Sequence, residues 1–161
     1  MALRLFLAIP GIPGNSTVIR FEDSIELLTY SLNFFNSVTS QSLSTFTASR
    51  ATLSPLVITK RSDRSSLPLL FNLLTGRTIR EMTLYVTDDT GGDFQTLFIF
   101  TLENVKVTQF NQSGEDGADS PMETINFRYT KITIESDAFD ANQVLTYDTS
   151  TNRATFSDGV T

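Results

Sequence analysis

The chain has 161 residues, a formal charge of −6, and neither cysteine nor histidine. Those absences exclude a disulfide framework, a Cys/His zinc site and any Ser-His-Asp or Cys-His machinery, so catalysis would have to run on carboxylates, Lys, Tyr or an oxygen-ligated metal. The acidic balance argues against a nucleic-acid partner, whose phosphates need a basic face, while 40% apolar residues, with 13 Phe and no Trp, describe one globular domain over 1–161 with a β-type core.

The first element is a strand, because Leu3, Leu5, Leu7 and Ile9 alternate with Arg4 and Ala8. The run from Leu5 to Ile9 is too short for a signal-peptide core of about 7–15 residues, and no cleavage site follows, so the chain is expected to start in the cytoplasm without Sec-type export. Pro10-Gly11-Ile12-Pro13-Gly14 reads as a tight turn, Val18–Glu22 as a short strand, and Ile25–Phe35 as a longer one. In that last strand the apolar phase slips, from Ile25 and Leu27 to Leu28, Tyr30, Leu32 and Phe34. The same slip recurs from Phe98, Phe100 and Leu102 to Val105 and Val107, and from Ile125, Phe127 and Tyr129 to Ile132 and Ile134. A phase change inside one strand marks a bulge or bend. Three of them predict a mainly β fold with a coiled sheet, either a barrel or two orthogonally packed sheets.

Asn36–Ser54 is rich in Ser and Thr and too long for a plain connection, and its Thr, Leu and Phe residues suggest a protruding hairpin. Leu43, Thr45, Phe46 and Thr47 are its candidate contact residues: Leu43 and Phe46 as apolar anchors, the threonines as strand formers able to pair at a neighbouring edge. Lys60, Arg61 and Arg64, interrupted by Asp63, read as a solvated turn. One helix follows. Ser65-Ser66 offers N-cap oxygens, Pro68 suits the first turn and Gly76 the position just past the end, with Leu67, Leu70, Phe71 and Leu74 spaced as one buried stripe that Leu69 and Leu73 widen. Asp63, just ahead of it, is placed to accept backbone N–H bonds at the helix's positive end. Ile79–Thr87 and Phe94–Phe110 form a hairpin around Asp88–Asp93, and Val144–Tyr147 and Arg153–Phe156 form another around Asp148–Asn152. Leu97-Phe98-Ile99-Phe100 is apolar on both faces and calls for a cover on the second, whether helix, sheet or neighbouring subunit.

Several of these pieces resemble, in order, the Hcp (haemolysin-coregulated protein) family of the type VI secretion system. Phe6 through Ser16 is similar to the family's opening strand and G-I-x-G-x-S turn, and Ile25 through Ser31 to its second strand. The most specific likeness is Leu56 through Ser66, where Thr59, Lys60, Asp63, Ser65 and Ser66 match an apolar strand, Thr-Lys, Asp, a basic residue and Ser-Ser leading into the single helix. Leu97–Val107, Glu123–Ile132 and Tyr147-Asp148 resemble the later strands and the closing hairpin. The chain departs from the pattern before its second strand, at Phe21–Ser24, and in the displacement of the usual Pro to Pro68.

The resemblance implies a small β-barrel of two curved antiparallel sheets with one flanking helix. It implies a homo-hexamer whose rings stack into a tube within a contractile sheath. The tube would carry effector proteins behind a tip spike and leave the cell through the apparatus, with no catalytic residue, cofactor, metal or membrane insertion. Other readings stand beside it. A tail-tube protein of a phage or related injection system shares the architecture. An enzyme would need nonlocal partners for Glu22-Asp23, Asp88-Asp89 or Glu115-Asp116, since sequence neighbours on a strand point to opposite faces. Calcium at Asp88–Asp93 or Glu115–Asp119 lacks the EF-hand spacing. A lectin-like sandwich would commonly expose Trp or Tyr, and this chain has no Trp.

Overall fold

The structure, a computed structural model, describes residues 2–42, 45–48, 50–90 and 94–159, with backbone alone over 39–42 and 45–48. In chain order come β1 (Leu3–Ala8), β2 (Ile25–Leu27), β3 (Thr29–Ser31), β4 (Phe34–Phe35), β5 (Val38–Ser42), β6 (Thr45–Ala48), β7 (Thr52–Leu53) and β8 (Leu56–Arg61). The helix α1 (Ser66–Thr75) follows, then β9 (Ile79–Asp88), β10 (Gln95–Ser113), β11 (Met122–Arg128), β12 (Lys131–Ser136), β13 (Gln143–Asp148) and β14 (Arg153–Asp158).

Every described pairing is antiparallel, and two sheets share β10. Its first half lies between β9 and β12, with β1 and then β2 beyond β9; its second half pairs with β11, which carries β8 and then β3. β2 and β3 are consecutive, parted only by Leu28, whose N–H donates to the Thr59 carbonyl at 2.8 Å. The wall therefore turns from one sheet into the other twice, along β10 and along Ile25–Ser31. The core lies between the two turns, with Leu7, Ile25, Leu56, Ile58, Leu84, Leu102, Ile125 and Phe127 among its buried side chains. Beyond β12 the first sheet continues as a wing of β13 and β14.

The three phase slips fall where the wall changes direction. The first is the break at Leu28. The second coincides with Asn104, held at φ +56, between the residues of β10 that pair with β12 and those that pair with β11. The third is the bend at Tyr129-Thr130 between β11 and β12, which are successive partners of the same β10.

Val18–Glu22 is a turn and not a strand. Arg20 sits at φ +77 and Asp23 at φ +62, so the backbone folds back and lays Phe21 flat on Phe6, centroids 4.4 Å apart. That stack covers the side of β1 that faces away from the main core. Gly14 makes the fold-back possible, because a Cβ there would stand 2.5 Å from the Ile25 Cα and the Ser24 carbonyl oxygen.

The helix is rotated from the sequence reading. Leu69 is fully buried and Leu73 packs on the core, whereas Leu67 and Leu74 are 75% and 72% exposed and Phe71 is half exposed. The i, i+4 pair Leu69 and Leu73 is the seam; of the expected stripe Leu67, Leu70, Phe71 and Leu74, Leu70 is half-buried and the other three face out. Gly76 ends the helix at φ +67, its N–H returning to the Leu73 carbonyl, as its place after the last apolar residue predicts. Within Leu97–Phe100, Phe98 and Phe100 stack with each other on the core side, Phe100 also against Tyr30 and Phe98 against Phe139, while Leu97 and Ile99 remain half-buried on the other face.

Candidate functional site: a buried ion pair and the surfaces around it

Leu56, Ile58 and Lys60 alternate along β8 and point into the barrel, so the lysine is carried inward by the same period that buries its apolar neighbours. Its cross-strand partner in β11 is Glu123, which leads the inward row Glu123, Ile125 and Phe127. Both side chains are fully buried and their charges meet at 2.7 Å. The reading of Lys60 as part of a solvated turn is therefore corrected. Arg61 and Arg64 remain at the surface, Arg64 paired with Asp23 at 2.6 Å and donating to the Gly14 carbonyl.

The hydrogen bonds around the pair close on themselves. Glu123 Oε1 also accepts from Ser66 Oγ at 2.8 Å, and Oε2 accepts from Ser62 Oγ at 2.7 Å and Gln112 Nε2 at 2.9 Å. Lys60 Nζ further donates to Asp63 Oδ1 at 2.9 Å and Ser66 Oγ at 3.1 Å. Burial pushes the Glu123 carboxyl upward, but the bonds from Lys60, Ser62, Gln112 and Ser66 outweigh it and hold the group below its ordinary value.

Asp63 is the hinge between this network and α1. Its Oδ1 accepts the Ser65 N–H at 2.9 Å and the Ser65 hydroxyl, and its own N–H donates to Ser66 Oγ at 3.0 Å. Ser65 occupies the N-cap position but makes no side-chain capping bond, because its hydroxyl is turned to Asp63. The expectation of a Ser65 cap is corrected accordingly. Thr59 faces the other way, its hydroxyl 2.6 Å from that of Thr29 across β3. The structure thus gathers Lys60, Asp63, Ser65 and Ser66 into one cluster with Ser62, Gln112 and Glu123, and leaves Thr59 on the opposite face of β8.

Chemically the cluster is saturated. Both Glu123 oxygens and the Lys60 ammonium are engaged by protein partners. Its geometry ties β8, β10 and β11 to the start of α1. Among the described residues no group of three or more Asp or Glu could hold a metal ion. Asp88 and Asp148 each accept from a residue two positions on, Thr90 and Ser150, and those bonds hold both carboxyls below their ordinary value.

The segment after β3 forms two short ladders apart from the main sheets: β4 with β7, and β5 with β6. Thr45, Phe46 and Thr47 lie on β6, with Phe46 opposite Ser40 and Thr47 opposite Thr39; Leu43 lies outside the described residues. The hairpin's base is tied down by Arg50, which donates to the Thr149 carbonyl in the β13–β14 turn.

The family model for "Type VI secretion system effector, Hcp" matches residues 6–135, most of the chain. This chain belongs to the Hcp family. It is a tube subunit of the type VI secretion system, as that membership states. Solved Hcp structures carry the same fold. Hcp1 from Salmonella typhimurium superposes with a TM-score of 0.80 at 22% identity, over 96% of this chain and all of that one. A structure described as a type six secretion system protein gives 0.87 at 24%, over 96% and 100%. A doubly substituted Hcp1 from the E. coli EAEC 042 pathovar gives 0.71 at 24%, over 98% of each chain. At these identities the likeness carries the fold. No curated protein sequence matches the chain significantly. The Lys60–Asp63–Ser66 cluster lies within the matched span, as do β10 and α1.

Proposed function

We propose that this Hcp subunit works as one sixth of a closed ring and that rings stack into a tube driven out by a contractile sheath, with effector proteins as cargo and a tip spike ahead. Family membership over 6–135 carries the reading. The saturated Lys60–Glu123 cluster supports a structural and non-enzymatic role, since the most buried ionisable groups are committed to holding strands together. No helix among the described residues is long and apolar enough to cross a membrane.

The β5–β6 hairpin, with Leu43, Thr45, Phe46 and Thr47, is assigned to ring-on-ring stacking. It stands apart from both main sheets, so its own ladder leaves strand edges for a partner. A contact from one ring face to the opposite face of the next never closes, and so propagates as a tube. Replacing Thr39–Ala48 by a short Gly-Ser linker is expected to leave rings intact in electron micrographs while abolishing tubes and secretion. Normal secretion of the shortened protein would exclude the stacking role.

A further inference from the structure

Between β3 and β8 the chain runs out and back as an arm of two short ladders, β4 with β7 and β5 with β6, and neither joins a main sheet. Its root is held by Leu32 and Leu53, which pack against the core, and by the Ser54 N–H on the Asn33 carbonyl at 2.9 Å. Beyond the root the pairs Phe34–Leu53 and Phe35–Thr52 stiffen it, and a two-stranded ribbon by itself is marginally stable in water. The five residues of β5 reach out by roughly 15 Å, so a tilt of about 10° at the joint between the ladders displaces its end by about 3 Å. An element that docks on another ring has to be held more closely than that, by supporting contacts outside itself.

Arg50 lies at that joint, between β6 and β7, and its guanidinium donates to the Thr149 carbonyl in the β13–β14 turn. That acceptor is fixed from several sides. The Thr149 N–H and hydroxyl both donate to the Thr130 carbonyl, each at 2.8 Å. Thr130 is fixed in turn: its N–H donates to the Glu103 carbonyl at 3.2 Å, and its hydroxyl accepts from Asn104 Nδ2 at 3.1 Å. Within the turn Asp148 accepts from the Ser150 N–H and hydroxyl, and the Tyr147 hydroxyl donates to Asn152 Oδ1 at 2.6 Å. The β13–β14 ladder alone would close this turn; the bonds to Thr130 add a carbonyl with one fixed direction. A chain of bonds, Arg50 to Thr149 to Thr130 to Asn104, therefore runs from the arm to the left-handed residue where β10 passes from one sheet to the other.

We infer that Arg50 is a positioning residue: seated on the Thr149 carbonyl, it sets the direction in which the β5–β6 arm leaves the subunit, and Thr149 and Thr130 fix the seat. The inference rests on the reading of that arm as the ring-stacking element and supplies what aims it. Because the chain has no cysteine, one introduced at Ser40 on β5 takes a spin label without competition. Arg50 is exposed, and one exposed hydrogen bond adds little to global stability, so the thermal midpoint of Arg50→Ala is expected within about 3 °C of the parent. The label is expected to pass from the restricted motion of a fixed ribbon to motion on about the nanosecond scale in Arg50→Ala. Thr149→Val, which lies off the arm, is expected to shift it part of the way, and Arg50→Lys, still able to donate to that carbonyl, to keep the parent's spectrum. Without the label, Arg50→Ala is expected to sediment as intact rings while losing tubes and secretion. An arm as ordered in Arg50→Ala or Thr149→Val as in the parent would overturn the positioning role. An arm loosened by Arg50→Ala with tubes of normal length would overturn the stacking reading and leave the positioning standing.

Discussion

Lys60 shows how little one residue's charge says without its period. Two fully buried charges cost several kcal/mol to desolvate, and the 2.7 Å contact together with the further hydrogen bonds on Glu123 and Lys60 offsets that cost. Removing one partner leaves the other charge uncompensated. Lys60→Met is therefore expected to lower stability in urea by about 3–5 kcal/mol, and Lys60→Met combined with Glu123→Leu to recover most of it. A double variant no more stable than the single one would show that the geometry of the network, and not the stranded carboxylate, sets the cost. Asp63→Ala should cost less, about 1–2 kcal/mol, because Lys60 keeps Glu123 and only the turn into α1 loses its acceptor. The inward position of Lys60 was legible in the sequence, since Leu56, Ile58 and Lys60 keep one parity, as do Glu123, Ile125 and Phe127. What the sequence withheld was the register that puts Lys60 opposite Glu123, a pairing across more than 60 positions of chain.

At the scale of elements, long periodic strands were easier to read than the helix. Each phase slip placed a bend to within a residue or two, and at Asn104 the physical reason is a left-handed backbone conformation that Asn tolerates well. The helix carries six apolar side chains in eight positions, Leu67 to Leu74, so any stripe drawn on it finds leucines. Its rotation is set by what it lands on, and Leu69 is the side chain that enters the core. Leu69→Ala is expected to cost about 2–5 kcal/mol in chemical unfolding, whereas Leu74→Ala should stay within about 0.5 kcal/mol for the monomer. Equal losses at the two positions would refute the rotation described. The Val18–Glu22 turn was missed for a related reason: Val18, Arg20 and Glu22 alternate with Ile19 and Phe21 like a strand, and only the aromatic stack on Phe6 shows what the segment is for.

For the whole molecule, the lack of histidine predicts a pH response with a wide flat centre. Glu123, Asp88 and Asp148 all have lowered values in the folded state. The stability they add is present in full above the ordinary carboxylate range and is lost as pH falls below it through the lowered values. At the alkaline end, burial pushes the Tyr129 hydroxyl up to about 12, so the unfolded chain releases that proton first and stability falls above the usual tyrosine value of 10. The unfolding temperature is expected to be nearly constant from about pH 5.5 to 8 and to decline below about pH 4 and above about pH 10. A step near pH 6.5 would contradict it.

β10 belongs to both sheets, and its partners come from opposite ends of the chain: β9 brings in β1 from the N-terminus, and β11 brings in β8 and β3. That sharing has a temporal consequence. β1 waits for β9, about eighty residues later, and the segment Ile25–Ser31 cannot bridge the sheets until β8 and β1 are both in place. Pairings so distant along the chain make folding slow, because the entropy of closing large loops is lost before the contacts that reward it form. A ribosome that has released only the first hundred residues holds two separate pieces, β2–β1–β9 and β3–β8, and the wall that joins them forms late, once β10 and β11 have emerged.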